Sequence, residues 1–315
     1  MTVNAAAIEV KELKKSYKKV QVLQGVTFTV TRGSIFALLG ANGAGKTTTI
    51  NILTTLQQAD GGSASVDGLD ISRQASAVRQ RISLTGQFAA VDDVLTGREN
   101  LLLIGELRHV LSPRKTAEEL LQQFDLADAA DRRTLTYSGG MRRRLDIAMS
   151  LIGDPSIIFL DEPTAGLDPQ SRTMMWETIR KLAELGKTIF LTTQYLEEAD
   201  QLADYIAILQ HGRIVADGTP QKLKKLLPQG KIEFRFRDER QLNATAHLFA
   251  KLQVERSDEE LSLTVSTDGS VAQLTRLLNE LQAARIVVME FSQKVPTLDE
   301  AFIKIIETHK EKQHA

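Results

Sequence analysis

No cysteine occurs in the 315 residues, which excludes disulfides and any thiolate metal site and suits a cytoplasmic address. Charge of one sign is not in excess either: 39 Lys and Arg stand against 40 Asp and Glu, for a formal net charge of −1. Nucleic-acid binders carry a basic patch or stripe, so no nucleic-acid partner is expected. No run approaches the ~18 apolar residues that a membrane-spanning helix needs. Met1–Ile8 is too short, and too soon followed by charge, for a signal peptide. The histidines, His109, His211, His247, His309 and His314, are scattered without metal-ligand spacing and read as surface residues. What the chain does have is material for a sizeable core, with 42% hydrophobic residues, and a length that accommodates about two domains.

The densest information lies in Gly40–Thr48, GANGAGKTT. The apolar run Ser34–Leu39 before it reads as a buried strand, and Thr47–Leu56 after it has helical apolar spacing. That is the strand–GxxxxGK[ST]–helix context of a phosphate-binding loop. Glycines let successive backbone N–H groups turn inward around a phosphate chain, and the new helix presents its positive end to it. Gly40, Ala41, Asn42, Gly43, Ala44, Gly45, Lys46, Thr47 and Thr48 are therefore expected to bind a nucleoside triphosphate. Lys46 would reach the β- and γ-phosphates and the Thr47 hydroxyl would ligate Mg²⁺.

A second acidic motif follows the apolar strand Ile157–Leu160. Asp161 at such a strand end is placed to hold Mg²⁺, and Glu162, next to it, to act as general base toward the attacking water. Ser138-Gly139-Gly140, at the start of a helical segment, is a further anion-binding turn. Two phosphate cradles in one chain suggest two halves sharing a nucleotide. Arg142-Arg143-Arg144, which follow, read as a charged helix face.

Taken together these motifs resemble the ATP-binding subunit of an ABC transporter, over residues 8 to about 225 and in that family's order. Tyr17 matches the aromatic residue that stacks on adenine, Gly40–Thr48 the Walker A loop, and Gln87 the Q-loop glutamine, a nucleotide and Mg²⁺ contact. Ser138–Gly140 match the signature, Ile157–Asp161 Walker B, Glu162 the catalytic glutamate and Ala165–Asp168 the D-loop. Two positions depart from the common pattern: Met141 stands where the signature ends in Gln, and Gln194 where the switch residue is His. With the tail Val295–Phe302, these departures are similar to the daunorubicin-resistance type of exporter ATPase. The resemblance implies an α/β P-loop NTPase of ABC type, with ATP and Mg²⁺ as cofactors and with Lys46, Glu162 and Gln194 as catalytic residues. It also implies a homodimer, a separate integral-membrane permease, a place at the cytoplasmic face of the membrane, and drug or lipid-like efflux. An importer ATPase with a regulatory tail remains an alternative, as does a soluble ABC-type ATPase. The latter class ordinarily shows a coiled-coil insertion or two nucleotide domains, and neither is visible here.

Along the chain, residues 8–75 read as short strands around the phosphate loop, with turns at Thr31–Gly33 and Asp60–Gly62. Residues 90–155 read as a helical subdomain, with helices over Asn100–Val110 and Ala117–Phe124 and Gln87 at its hinge; Phe88–Leu95 would carry movement to the membrane partner. From 157 onward strands and helices alternate, which implies a mostly parallel sheet with right-handed crossovers. The nucleotide-binding domain is taken as 1–228 and an accessory α+β domain as 229–315. In the latter, strands at Lys231–Phe236, Val254–Arg256, Leu261–Val265 and Ile286–Phe291 and helices at Gln241–Leu252 and Val271–Ala284 give a ferredoxin-like β-α-β-β-α-β order. A last helix is expected over Leu298–Glu307, and the domain is expected to pack and dimerise.

Overall fold

A computed structural model describes residues 5–87, 89–225, 230–294, 297–298, 300–302 and 305. The chain divides into two compact units, Met1–Pro220 and Gln221–Ala315. In the first, β1 (Ala6–Tyr17) and β2 (Val20–Thr31) pair antiparallel, and β3 (Ile35–Leu39) leads through the phosphate loop into α1 (Lys46–Leu53). Then come β4 (Gly61–Val66), β5 (Leu69–Asp70), α2 (Ala75–Arg81) and β6 (Ile82–Thr85). Helices α3 (Gly97–Leu107), α4 (Pro113–Gln123) and α5 (Gly139–Ser150) follow. The chain then alternates through β7 (Ile157–Asp161), α6 (Pro169–Glu184), β8 (Thr188–Thr193), α7 (Leu196–Leu202), β9 (Tyr205–Gln210) and β10 (Arg213–Gly218), and α8 (Pro220–Lys224) starts on the last residue of this unit and continues into the second.

These strands form two sheets, an antiparallel one ordered β2-β1-β4-β5 and a six-stranded one ordered β10-β9-β3-β8-β7-β6. In the second sheet β9, β3, β8, β7 and β6 are parallel and only β10 runs against its neighbour. Strands covered on both faces lose alternation and become continuous apolar runs; accordingly β3, β7 and β8 are buried at every position. Phe28, Phe36, Phe159 and Phe190 pack in stacked and tilted pairs with ring centroids 5.0–5.8 Å apart and join the two sheets in one core.

The short strands expected over 8–75 are corrected: β1 and β2 run 12 residues each. Bulges interrupt their pairing, one between Val10 and Leu13, where Glu12 takes φ 51°, and such breaks make a long ribbon look like fragments in the sequence. Helix α3 starts before Asn100, because Thr96 accepts from Glu99 N–H while Glu99 reaches back to Thr96 N–H, a complete capping box.

The second unit holds β11 (Gly230–Arg235), α9 (Glu239–Leu248), β12 (Val254–Ser257), β13 (Ser262–Thr267), α10 (Val271–Ala283) and β14 (Glu290–Lys294). Its sheet order β12-β13-β11-β14, antiparallel throughout, is the ferredoxin-like arrangement. Ile232, Phe234, Leu263 and Val265 face Leu242, Phe249, Leu277 and Leu281 in a separate core. The last strand sits later than Ile286–Phe291: Arg235, at the end of β11, pairs with Glu290 and its carbonyl accepts from Met289 N–H at 2.9 Å, so residues 286–288 lie beyond the strand they would need to pair with. Leu298, Ala301 and Ile305 are buried, and of the expected final helix residues 298, 300–302 and 305 are helical; Asp299, residues 303–304 and 306–307 of that helix lie outside the described residues, as do Phe88, Val295, Pro296, His309 and His314. His109, His211 and His247 are exposed. Among the described residues no helix is long and apolar enough to cross a membrane.

Candidate nucleotide site

Three parallel strands, β3, β8 and β7, are adjacent in the sheet and deliver their C-terminal ends to one place. Such strand ends are where open α/β sheets bind ligands. The loop after β3 is folded by glycine: Gly45 holds φ 112°, and a Cβ there would stand 2.7 Å from Leu23 Cδ2. At Gly40 a Cβ would strike the Leu209 carbonyl. Neither position accepts a side chain without moving β3 or its neighbours.

An open cleft of about 360 Å³ lies over this loop, lined by Val22, Asn42, Gly43, Gly45, Lys46, Thr47, Thr48, Gln87 and Glu162. Lys46, 5% exposed, donates from Nζ to the carbonyls of Gly40 (2.7 Å) and Ala41 (3.2 Å) and stands 3.2 Å from Glu162 Oε1. Thr47 Oγ1 donates to Asp161 Oδ2 at 3.0 Å. A hydroxyl beside a carboxylate is the hard-oxygen pair that suits Mg²⁺. Gly40, Ala41 and Ala44 do not line the cleft; Gly40 and Ala44 are buried and Ala41 is exposed.

Glu162 is a non-glycine residue at φ 48°, a left-handed conformation that persists only where the surroundings impose it. Its N–H donates to Thr192 O (3.1 Å) and to Thr192 Oγ1 (3.2 Å), and the same Thr192 hydroxyl donates to Asp161 Oδ1. Thr192 is fully buried and ties both acidic residues to β8. It was not among the expected site residues, although a Thr-Thr pair inside the apolar strand Thr188–Thr193 is the signal of an inward polar role.

Gln194 is half-buried, immediately past the end of β8, and is not a lining residue of the cleft. Tyr17, at the end of β1, is 42% exposed, bonds Gln57 through its hydroxyl at 2.6 Å and does not line the cleft. Ser138 caps α5 by accepting from Met141 N–H at 3.2 Å. It and Gly139 are exposed, Gly140 is buried, and none of the three lines the cleft.

The reading of Arg142–Arg144 as a charged face is corrected, because the three diverge. Arg142 reaches Asp93 (2.8 Å) and Arg144 the Phe124 carbonyl (2.9 Å). Arg143 is buried and donates to the carbonyls of Gly86 (2.6 Å), Asp161 (3.1 Å) and Pro163 (2.9 Å) and to Asp146 Oδ2 (3.3 Å). Burial holds the Arg143 guanidinium below its ordinary range, against the pull of the Asp146 carboxylate, and pushes the Asp146 carboxyl up. On α7, Glu198 is fully buried and accepts from Thr164 Oγ1 (2.7 Å) and Trp176 Nε1 (3.3 Å); burial raises its carboxyl as well. These charges escape sequence reading because an Arg or Glu on an amphipathic helix looks the same whether it ends in water or under a loop.

The ABC transporter family matches residues 23–165, and the C-terminal domain of DrrA1-3-like ATP-binding proteins matches residues 218–306. A daunorubicin/doxorubicin resistance ATP-binding protein of Streptomyces peucetius is 45% identical over 95% of this chain and 92% of its own length. A Nod factor export ATP-binding protein of Paraburkholderia xenovorans is 42% identical over 69% of this chain and 72% of its own. Among solved structures, a dimeric post-hydrolysis ATP-binding cassette bound to ADP and Pi superposes with a TM-score of 0.61 at 26% identity, covering 67% of this chain and 98% of that one. The chain belongs to the ATP-binding proteins of ABC transporters, in the group of the daunorubicin/doxorubicin-resistance ATP-binding proteins, and is an ATPase.

Proposed function

We propose that two copies of this chain pair around ATP and that hydrolysis between them energises a membrane exporter whose permease is a separate chain. The observation that carries this reading is the incompleteness of the cleft: Lys46, Thr47, Gln87 and Glu162 line it, and Ser138–Gly140 do not. In a two-fold pair each copy supplies the missing turn to the other. ATP then holds the pair together, since its γ-phosphate is contacted from both sides only in the closed dimer, and loss of that phosphate removes the contact that favours closure.

Within one copy, the backbone amides of Gly40–Thr48 wrap the phosphates, Lys46 contacts the β- and γ-phosphates, and Tyr17 stacks on adenine. Glu162 accepts the proton of the attacking water, and Gln194 senses the γ-phosphate and orients that water. Thr47, Asp161 and Gln87 hold Mg²⁺, consistent with the 3.0 Å approach of the Thr47 hydroxyl to Asp161. When bound, Mg²⁺ neutralises charge on the phosphate oxygens. Residues 1–228 act as the nucleotide-binding domain and 229–315 as an accessory domain that favours pairing. A drug-like or lipid-like cargo is moved outward from the cytoplasmic face; similarity to a daunorubicin/doxorubicin resistance protein and to a Nod factor export protein supports export.

The test is Glu162→Gln. Removing a general base slows hydrolysis by about 10²–10⁴-fold but keeps ATP bound, so gel filtration with ATP should show a stable dimer. A Glu162→Gln protein that stays monomeric while saturated with ATP would overturn the shared site.

A further inference from the structure

The acid–base assignment leaves unexplained what holds Glu162 in its left-handed conformation from the other side of the chain. Thr192 fixes its N–H. The carbonyls that flank it, those of Asp161 and Pro163, both accept from one guanidinium, through Arg143 Nη2 at 3.1 Å and Nε at 2.9 Å. The same group donates from Nη1 to the Gly86 carbonyl at 2.6 Å, one residue before Gln87. Its counter-ion Asp146, one turn further along α5, accepts from Ala90 N–H at 3.1 Å, on the far side of Gln87. The pair thus brackets both Glu162 and Gln87 along the backbone.

The bracket is rigid and buried. Arg143 is 6% exposed and Asp146 5%, and the guanidinium fork fixes several acceptors in one geometry in a way an ammonium cannot. Arg143 lies on α5 five residues after Ser138, the cap of that helix, which at 1.5 Å per residue is about 7.5 Å along one stiff rod.

We propose that Arg143, braced by Asp146, is the positioning residue of this ATPase: it sets Glu162 and Gln87 for hydrolysis and does so from the helix that carries the Ser138–Gly140 turn. Engagement of that turn, which moves or loads α5, is thereby felt at the general base. The inference rests on the assignment of Glu162 as base. It goes beyond that assignment in giving the residue's geometry a cause and in making the clamp, rather than the carboxylate alone, necessary for turnover.

The experiment is a double-mutant cycle on the full chain, measuring ATP hydrolysis and, separately, equilibrium binding of a fluorescent ATP analogue. Arg143→Lys keeps a charge for Asp146 but loses the fork. It should lower kcat by about tenfold to a hundredfold with analogue affinity changed less than about threefold. In the Glu162→Gln background the same substitution should change the residual rate by less than about threefold, because residues that act through one another are not additive. Leu145→Ala, a buried packing position on the same helix, supplies the comparison for a merely structural defect: a lower Tm with loss of rate that is equal in both backgrounds. Full turnover in Arg143→Lys, or an equal loss in both backgrounds, overturns the proposal. Wild-type hydrolysis by Glu162→Gln alone would instead sink the base assignment, so the two failures are distinct.

Discussion

Thr192→Val is the substitution that most directly weighs the link between the two acidic residues. The change is isosteric, so the fully buried site in β8 keeps its packing, and only the hydroxyl is lost. That hydroxyl donates to Asp161 Oδ1 and accepts one of the two bonds from Glu162 N–H. The second bond, to the Thr192 carbonyl at 3.1 Å, survives, so the cost falls mainly on Asp161. A hydrogen bond to a charged group contributes about 1.5–3 kcal/mol, and Asp161 is 5% exposed, with little water to replace it. If the carboxylate must be held to do its part, that range corresponds to a loss of roughly ten- to a hundredfold in kcat/KM. The assay is steady-state ATP hydrolysis across a range of free Mg²⁺, with Thr192→Ser alongside. Serine keeps the hydroxyl and should retain activity within about threefold, with only the small cost of a lost methyl group. Wild-type kcat/KM in Thr192→Val, or an equal loss in Thr192→Ser, would refute the argument that the hydroxyl orients Asp161.

Gln194→Ala should cut turnover by about two to three powers of ten, the cost of a transition-state hydrogen bond of ~2.7–4 kcal/mol, with ATP affinity little changed; unaltered turnover would mean the residue is no switch. Gln194→His should be tolerated near neutrality and lose activity on the acid side as the imidazole protonates, read from rates between about pH 5.5 and 8.5. Because burial raises the Glu198 carboxyl, the folded chain keeps a proton there that the unfolded chain has released, so stability falls as pH rises from the unfolded value of about 4.3 to the raised folded value. Glu198→Gln removes that slope, and thermal unfolding should show its Tm gaining on the wild type as pH increases; a difference constant with pH would contradict this. A chain ending at Lys225 should still bind ATP, since the cleft is built from residues 22–162, while its hydrolysis becomes more dependent on protein concentration; loss of binding in a folded truncation would argue against the domain division.

The phosphate loop and the strand ends around it were legible because their chemistry is local. GANGAGKTT needs its glycines and its lysine within one turn, and Asp161-Glu162 follow directly on four apolar residues. The ferredoxin-like order of the second unit was legible for a similar reason, since its strands and helices alternate with clear periods. What escaped were the partners set by tertiary packing. Arg143 differs from Arg142 and Arg144 only in the direction in which α5 points it, and Thr192 differs from any β-branched strand residue only in what β7 presents opposite. Register was likewise hidden: the placement of β14 depends on where β11 ends, not on the composition of 286–291.

The strand order of the six-stranded sheet also bears on how the chain reaches its fold. Strand β3 lies between β9 and β8, and its first pairing partner, Ile189 against Ile35, is 154 residues further along the chain. At ~5–20 residues per second of synthesis, β3 waits roughly 8–30 s for either neighbour. During that interval Ile35–Leu39, an uncharged apolar segment with both edges unpaired, has the character of an aggregation-prone strand. The β1–β2 ribbon is complete before then and carries Phe28, which ends stacked on Phe36 at 5.0 Å. A hairpin made early can shelter the waiting strand on one face. Destabilising that ribbon, for example by Phe28→Ala, would then lower the yield of folded chain during synthesis more than it lowers the stability of the chain once folded.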